Sequence, residues 1–322
     1  MLTIEKFKES DFEFEQIARI YNVVSHDDKD HPDDIKEAWE IRDKKKVKDK
    51  LLLYIDKNVV GFLAYVQGRD QNEKNCYFNI YLLPEHNGNG YRQLLFNKML
   101  KEVNKFGCKR LYANIYEHNN YSEYEKMLIR NNFEVVLKIR EYSLKLENFN
   151  VNNYKEIINL VEKKGIKFYN SRDEMSEFQD HYKKLEKLEW TYSQDFPAPE
   201  GTVITREPFK LWKKEQEIFE NKHYGIEIIA VCNNQYIGST DLHVYPKSDP
   251  YKAWTGGLGV IREYRRQGIA TALKIKAIQA LKDKGIKIIR TDNEENNPMY
   301  KININLGFKP EPFGIEYRKK IN

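Results

Sequence analysis

The sequence predicts a mixed α/β fold of the α+β type, built twice, in which helices flank a mixed and mostly antiparallel sheet. Strand and helix signals alternate late in each half of the chain but not early, which favours a mixed sheet over a fully parallel one. The two halves also resemble each other in register. A length of 322 residues agrees with two domains of ordinary size. We therefore expect two tandem domains, 1–148 and 149–322, joined in the Asn-rich stretch NFNVNNY.

The repeat rests on landmarks that recur at nearly constant spacing. Three glycines and a phenylalanine of the first half return 175 to 178 residues later: Gly61 and Gly238, Gly90 and Gly268, Gly107 and Gly285, Phe133 and Phe308. The pair Glu141-Tyr142 returns as Glu316-Tyr317. A small drift over so many landmarks indicates a duplication.

The predicted elements follow the same order in both halves. A β-hairpin with Asn in its turn comes first, in LLLYIDKNVVGFLAYV and IEIIAVCNNQYIGSTDLHV. Then come a strand, a glycine-bearing loop and a helix, and the two helices are expected to have equal lengths with apolar stripes: Leu95, Met99, Val103 and Phe106, and Leu273, Ala277, Ala280 and Leu281. A short strand, a second helix and a final strand pair complete each half. The second half carries extra helical material at 153–221.

Composition excludes several classes of protein. Hydrophobic residues make up 40% and charged residues 32% of the chain, which is typical of a globular protein. No apolar stretch is long enough to span a membrane, and the charged start MLTIEKFKESDF does not resemble a signal peptide, so a cytoplasmic location is expected. The three cysteines lie far apart and predict neither disulfides nor a zinc site. Interleaved charges, with a net charge of +5, do not indicate nucleic-acid binding.

The segment HDDKDHPDD, residues 26–34, allows two interpretations. Two histidines and five aspartates could form a metal site. Alternatively, Pro32 and the acidic residues mark the start of a helix that carries Trp39, because acidic side chains are favourable near the positive end of a helix. We favour the helix start and predict no metal site.

Two motifs in the second half belong together. Arg265-Arg266-Gln267-Gly268-Ile269-Ala270 fits the pattern [QR]xxGx[GA], follows an apolar strand and opens an amphipathic helix. About two dozen residues later comes TDNEENNPMYKININLGF. In this combination the chain resembles the GNAT superfamily of N-acetyltransferases, in which the first motif is the acyl-CoA loop and the second is an NxxAxxxYxxLGF segment. The chain as a whole resembles bacterial tandem-GNAT proteins, most clearly over residues 250–310.

The resemblance implies acetyl-CoA as the acyl donor. A glycine loop at a helix N-terminus presents backbone N–H groups to a pyrophosphate, and Arg265 or Arg266 could bind its phosphates. In the family the pantetheine arm lies between two strands that splay apart, here about 253–261 and 286–291. The implied cofactor-binding residues are Val260, Ile261, Arg265, Arg266, Gln267, Gly268, Ile269, Ala270, Thr271, Asn296 and Asn303. Alternatively, RRQG is an exposed turn, or Arg262, Arg265 and Arg266 bind nucleic acid.

The first half matches the family less well. The loop position is occupied by Asn87, Gly88, Asn89 and Gly90, and Arg92 stands where the family keeps a small residue. A side chain of this size could obstruct the phosphates or bind them. We expect the first domain to be degenerate and the second to be the active one.

Amide formation from a thioester needs a neutral amine, a polarised carbonyl and a thiolate leaving group that is protonated or stabilised. Asp241 and His243 are candidates for removing a proton from the amine, since they share one face of a strand. A backbone N–H near Val260 or Ile261 could polarise the carbonyl. The resemblance places a general-acid Tyr at residue 303, but this chain has Asn there, and Tyr300 lies one turn earlier on the same face. Alternatively, Asp241 and His243 decorate a solvent face, Asn303 only holds the cofactor, and Tyr300 is a surface residue.

The sequence thus predicts an acetyl-CoA-dependent N-acetyltransferase that acts on a primary amine of a small molecule or peptide, with no nucleic-acid or membrane partner. Trp190, Tyr192 and Phe196 are expected to line the acceptor site. The alternative is a non-catalytic acyl-CoA-binding or sensor protein, because the Tyr is missing at 303. The identity of the amine and the oligomeric state are not predicted.

Overall fold

The fold was analysed in a computed structural model of the chain. The structure describes residues 1–25, 28–68, 74–117, 122–171, 178, 180–197, 204–222, 225–294, 297 and 299–321. It confirms a mixed α/β architecture with mostly antiparallel strand pairing and helices packed against the strands.

The chain divides into two compact units that are not continuous in sequence. The first unit consists mainly of Met1–Ile139 and the C-terminal segment from Pro312, and the second of Arg140–Pro197 and Arg206–Glu311. The C-terminal strand therefore belongs to the first unit, although its residues follow the second repeat in sequence.

The first unit is a sheet with helices on its faces. Its elements are β1 (Leu2–Lys6), α1 (Asp11–Val24), α2 (Pro32–Glu40), β2 (Lys48–Ile55), β3 (Asn58–Gln67), β4 (Asn75–Leu82), α3 (Tyr91–Val103), β5 (Arg110–Tyr116), α4 (Ser122–Arg130), the start of β6 (Glu134–Lys145), and β12 (Lys309–Lys320) from Pro312 onward. The strand order is β1-β2-β3-β4-β5-β12. All pairs are antiparallel except β4 with β5, which is parallel.

The second unit repeats this plan. Its further elements are α5 (Lys155–Glu162), β7 (Lys167–Asn170), α6 (His181–Ser193), α7 (Phe209–Lys222), β8 (Ile226–Cys232), β9 (Gln235–Tyr245), β10 (Asp249–Val260), α8 (Ile269–Asp283), β11 (Ile288–Glu294) and α9 (Tyr300–Asn305). The strand order is β6-β11-β10-β9-β8-β7, and β10 pairs in parallel with β11. The core lies between this sheet and α8, whose Leu273, Ala277 and Leu281 are buried.

The repeat predicted from the landmarks is confirmed by backbone conformation. Residues with positive φ recur at matching places in the two units: Asp56-Lys57 and Asn233-Asn234 in the hairpin turns, Gly88 and Arg266, Gly90 and Gly268, Gly107 and Gly285, and Asn132 and Gly307. Such conformations are uncommon outside glycine, so this coincidence shows the same turns built twice.

Each unit contains the expected pair of diverging parallel strands. In the second unit β10 and β11 pair only from Lys252 with Ile288 to Trp254 with Arg290, although β10 continues to Val260 and β11 to Glu294. In the first unit the pairing of β4 with β5 ends at Phe78 with Ala113. The strands beyond these points leave backbone groups on facing edges, which opens a cleft in the sheet.

The structure departs from two of the expected elements and confirms a third. The stretch 153–221 is not purely helical, because Lys167–Asn170 forms a strand that pairs with β8. The two loop-following helices are not equally long, with 13 residues in α3 and 15 in α8. The helix start at Pro32 is confirmed: His31 caps α2 by accepting the N–H of Asp33, while His26 and Asp27 lie outside the described residues. Trp39 is buried in that helix.

Where the chain is described, no helix combines the length and apolar character needed to cross a bilayer. The three cysteines are free and buried.

Candidate functional site

The loop before α8 forms a bare helix N-terminus. Gly268 is the N-cap residue, with φ +83°, and no side chain caps the first turn. The first intrahelical bond runs from the N–H of Ala272 to the carbonyl of Gly268, so the N–H groups of residues 269–271 have no intrahelical partner. The side chain of Ile269 is buried in the core, and Ala270 is partly buried. This arrangement of Gly268, Ile269, Ala270 and Thr271 can bind an anion through backbone groups.

The two loop arginines have different roles in the structure. Arg265 donates to the carbonyl of Val260 at 2.8 Å and to Asp195 at 2.5 Å, and Arg262 also pairs with Asp195. These hydrogen bonds to Arg262 and Arg265 hold the pKa of Asp195 well below its usual range. Arg266 instead lies in the left-handed region at φ +63° and is exposed. Arg265 is thus committed to holding the end of β10, which leaves Arg266 as the loop cation available to a ligand.

A third cation, Lys164, lies beside the loop. Its Nζ is 3.4 Å from the carbonyl oxygen of Gln267. The nearby helix α5 also approaches Gly268, since a Cβ there would lie 3.4 Å from Val161. The sequence motifs do not include Lys164, because it comes from a segment a hundred residues earlier.

Two backbone N–H groups at the end of β10 are the expected donors to the thioester carbonyl, and they differ in availability. The N–H of Ile261 donates to the carbonyl of Ile237 at 2.9 Å and is therefore already used. Val260 is paired with Gly238 one position before, and backbone groups alternate in direction along an antiparallel strand. The N–H of Val260 consequently points away from β9, toward the side where β11 has diverged.

Strand β10 is interrupted by a bulge at two glycines. Thr255 pairs with Leu242 and Leu258 pairs with Thr240, so Gly256 and Gly257 together oppose the single residue Asp241. The N–H of Gly257 donates to Oδ1 of Asp241 at 2.7 Å. A Cβ on Gly256 would lie only 1.9 Å from Oδ2 of Asp241 and 2.5 Å from Nε2 of His243. The absence of side chains here allows β10 to pass close to both functional groups.

Asp241 and His243 contact each other directly. Nε2 of His243 and Oδ2 of Asp241 are 2.6 Å apart, and both side chains are partly buried. The ring of Phe219 packs on the imidazole at a centroid distance of 4.5 Å. Because a carboxylate only accepts hydrogen bonds, this contact favours a proton on Nε2 and leaves Nδ1 able to accept one.

Two further carboxyl groups lie on the same face of the sheet. Glu227 is directly opposite Asp241 in the β8–β9 pairing, and Glu189 of α6 is close to both. Trp212 donates to Glu189 at 2.7 Å, and Gln216 donates to Glu227 at 2.8 Å. Burial, reinforced by the charge of Asp241, raises the pKa of Glu189 to about 7 and raises that of Glu227 well above its usual value. Such a group of carboxyls favours a cation over a neutral ligand.

The aromatic residues expected at the acceptor site have unequal positions. Tyr192 is buried, and its hydroxyl is 3.1 Å from Oγ of Ser239. A Cβ on Gly259 would lie 2.1 Å from the Tyr192 ring, so β10 packs directly on this ring. Phe196 is 42% exposed and contacts Tyr192, whereas Trp190 is partly buried and lies 6.0 Å from the guanidinium of Arg206. Of these three aromatic residues, Tyr192 packs against β10 beside Gly257 and Gly259.

Asn303 lies inside the molecule. It is 2% exposed, its Oδ1 accepts from Nζ of Lys274, and its Nδ2 donates to Oδ1 of Asn293 at 2.5 Å. Tyr300 is partly buried against the core at the start of α9. Asn297 caps the turn before α9 by accepting the N–H of Met299, and Asn296 lies outside the described residues.

In the corresponding loop of the first unit, Arg92 stands at the sequence position of Ala270, although the first turn of α3 also lacks a side-chain cap. Arg92 donates to Oδ1 of Asn87 at 2.7 Å and lies 5.9 Å from the centre of the Tyr124 ring. Its Nε is buried and has no hydrogen-bond partner among the described residues, and burial lowers its pKa. Arg92 thus places a partly buried guanidinium at the position where the second unit has the small side chain of Ala270.

The diverging strands of the first unit are also bridged. Oδ1 of Asn79 accepts the N–H of Asn114 at 3.2 Å, directly beyond the last paired residues of β4 and β5. The β3–β4 register continues through this region without a bulge. A side chain thus occupies the backbone group that an added strand-like ligand would need.

Comparisons with known proteins identify the family and the fold. The sequence model of the Acetyltransferase (GNAT) family matches residues 12–127 and again 185–304. A tandem GNAT protein from the clavulanic acid biosynthesis pathway has a similar structure, with a TM-score of 0.79, 14% identity, and coverage of 99% of this chain and 98% of that one. A GCN5-related N-acetyltransferase from Sphaerobacter thermophilus gives a TM-score of 0.71 at 14% identity, covering 99% and 95% of the two chains.

A third similar structure belongs to a larger protein. It is the GCN5-related glucosamine N-acetyltransferase region of a fungal multi-domain GH3 β-N-acetylglucosaminidase, with a TM-score of 0.75 at 13% identity, covering 98% of this chain and 38% of that one. A search among curated proteins found no match. At these identities the structural likenesses establish the fold.

Proposed function

Because the chain belongs to the GNAT acetyltransferase family, whose sequence model matches both halves, we propose that its second unit transfers an acetyl group from acetyl-CoA to a primary amine. Membership implies acyl-CoA-dependent N-acyl transfer as the class of reaction. One observation supports this donor, this kind of acceptor and this active unit. The Asp241–His243 pair of β9 lies against the glycine bulge of β10, and β10 leads into the uncapped loop at Gly268.

The donor side of the proposal uses backbone groups. The free N–H groups at the start of α8 would hold the pyrophosphate, with Arg266 and Lys164 supplying positive charge. The open edges of β10 and β11 would pair with the pantetheine arm. When bound, acetyl-CoA supplies the activated acyl group, and the N–H of Val260 is aimed so that it could polarise the thioester carbonyl.

The acceptor side uses the carboxyl cluster. An alkyl amine is mostly protonated at neutral pH and must lose a proton before it can attack. Glu189, Glu227 and Asp241 would attract the ammonium form, and Nδ1 of His243 would accept its proton while Asp241 orients the imidazole. The acceptor is accordingly expected to be a cationic amine of a small molecule or peptide.

The first unit is proposed to be silent toward acyl-CoA. Arg92 donates to Asn87 of its loop and Asn79 bridges its diverging strands. Both features are replaced in the second unit by small residues, Ala270 and Gly257.

A calorimetric titration with acetyl-CoA, read for stoichiometry, tests this proposal. We expect one site per chain in the wild-type protein. Gly268→Glu should abolish binding, because it places a carboxylate in the anion site. Gly90→Glu is the matched control, since Gly90 has the same N-cap role and a similar positive φ but lies in the unit that is proposed to be silent.

Each other outcome contradicts part of the proposal. Two sites per chain would show that the first unit is not silent, and no binding would remove acyl-CoA as a ligand. Binding without turnover of any amine in a broad screen would favour a non-catalytic acyl-CoA sensor. The proposed location is the cytoplasm, which is consistent with three free cysteines.

A further inference from the structure

A lysine is buried at the point where the two central strands of the second unit separate. Lys274 of α8 is 2% exposed. Its Nζ donates to Oδ1 of Asn303, lies 3.4 Å from Oγ1 of Thr291, and is 4.7 Å from the centre of the Phe308 ring. Fully buried lysines are rare, because removing an ammonium group from water is costly.

The strand register places this amine at the head of the cleft. Trp254 and Arg290 are the last paired residues of β10 and β11, so Thr255 and Thr291 are the first residues on the two diverging edges. Lys274 reaches Thr291, and Oγ1 of Thr255 is buried with no hydrogen-bond partner among the described residues. From Lys274 the hydrogen bonds continue through Asn303 to Asn293, which is partly buried on the diverged part of β11.

Lys274 exchanges between its charged and its neutral form near neutral pH. Burial lowers the pKa of Lys274 to about 7, and the carboxylate of Asp292 on β11 opposes that change. The other groups that touch its Nζ are the amide of Asn303 on α9, the hydroxyl of Thr291 on β11 and the ring of Phe308 just before β12, none of which is charged. An amine in this environment can change protonation state during a reaction at neutral pH.

We propose that Lys274 is the acid of the transfer reaction, supplying positive charge and then a proton to the sulfur that leaves the acyl group. This inference rests on the proposed function. Asn303 has no proton to give, and Lys274 is the ionisable group bonded to it. The ammonium of the acceptor first releases one proton to solvent through His243. The resulting neutral amine forms the new C–N bond and gives a second proton to His243, while the C–S bond breaks with its electron pair on sulfur and Lys274 transfers one proton to that sulfur. The neutral lysine then regains a proton from solvent, while His243 holds the proton taken from the amine.

The ionisation of bound CoA tests this role without turnover. Thiolates absorb in the near ultraviolet, so the pKa of the CoA thiol can be followed by absorbance, free and bound. We expect binding to lower that pKa by about one unit or more from its value in free CoA, since a nearby ammonium favours the thiolate. Lys274→Met should abolish this lowering. Lys276→Met is the matched control, because Lys276 lies on the same helix but makes an exposed ion pair with Glu162.

Measurements of activity provide a second test. We expect Lys274→Met to reduce kcat by about 10²-fold or more and to remove the limb of the pH profile near 7, with little change in the affinity for CoA. An unshifted thiol pKa in the wild-type protein would overturn the inference, whether or not the variant folds. Equal thiol pKa values in Lys274→Met and Lys276→Met would also overturn it. A failure of the proposed function is distinct from these results, because the wild-type protein would then either bind no CoA or bind it without acetylating any amine.

Discussion

Buried carboxyl groups are the least ordinary residues of the second unit. Glu227 is 3% exposed, and it lies close to Glu189 of α6 and opposite Asp241 of β9. Burial and neighbouring charges raise the pKa values of Glu189 and Glu227, so these two groups oppose folding at neutral pH unless a cation binds beside them. Residues that oppose stability in this way commonly serve binding or catalysis.

We predict that Glu189 makes stability depend on pH. Its carboxyl is protonated in both states below about pH 4.5, but between about 4.5 and 7 it ionises only in the unfolded chain. The free energy of unfolding should therefore fall as pH rises through this window, by at most about 1.4 kcal/mol per pH unit. Glu189→Gln keeps an acceptor for Trp212 and should make this dependence less steep, while Glu227 still contributes to it. Urea unfolding at several pH values measures it, and an unchanged slope in the variant would refute the assignment.

We predict that His243→Gln lowers kcat by about 10²-fold to 10⁴-fold, because glutamine cannot accept the amine proton. The affinity for acetyl-CoA should not change, since His243 of β9 belongs to the proposed acceptor site and not to the proposed phosphate-binding loop. Rates measured against pH, together with calorimetry, check both parts. If the variant keeps full activity, the base must be another group.

Much of this site follows from the sequence, and some of it does not. The loop motif identified Gly268, and strand periodicity put Asp241 and His243 on one face, because both rest on local spacing. Glu189, Glu227, Lys164 and Lys274 come from separate segments that only tertiary packing brings together. Their one local signal is a charged residue at an otherwise apolar position, as for Lys274 in the stripe of α8 and Glu227 in IEIIAVC.

At the scale of the element, the two units differ by the bulge in β10, which the first unit lacks. Equivalent strands with equivalent turns differ at this point, where the second unit inserts two glycines opposite one residue and the first unit keeps regular pairing. The bulge anchors Asp241 through the N–H of Gly257 and turns the following strand toward the loop. The GG dipeptide was visible in the sequence, but its register was not, because pairing depends on both strands.

We predict that Gly256→Ala lowers turnover by about 10-fold to 100-fold without preventing CoA binding. The new methyl group would meet Asp241 and His243 within van der Waals contact and force them apart. Gly285→Ala is a suitable control for loss of a glycine, since its Cβ would meet nothing within 4 Å although its φ is positive. Kinetics and calorimetry on both variants make the comparison. Equal effects would show that general destabilisation, not displacement of the pair, is responsible.

At the scale of the whole molecule, the chain is duplicated but its units are not separable by one cut. The sequence placed a single boundary near residue 148, whereas the segment from Pro312 belongs to the first unit and pairs with β5 from Gly314 to Lys320. Tyr317 of this strand is buried, and its hydroxyl donates to Glu125 at 2.5 Å. Periodicity predicts that such a strand exists but does not reveal which sheet it joins.

We predict that a fragment of residues 1–148 does not fold to a native state, because it lacks the strand that covers β5 and leaves its edge unpaired. A fragment extended by residues 309–322 through a flexible linker should unfold cooperatively. Circular dichroism during thermal unfolding distinguishes the two. A cooperative transition in the shorter fragment would show that the strand is dispensable.

The position of this strand also bears on how the protein is made. The segment from Pro312 is synthesised about 170 residues after Ile139. At bacterial or eukaryotic rates of about 5 to 20 residues per second, this delay is roughly 10 to 35 s. During that interval the first unit has left the ribosome with one sheet edge and part of its core uncovered. Nascent chains should therefore be most prone to aggregation, and most dependent on chaperones, while the second unit is still being translated.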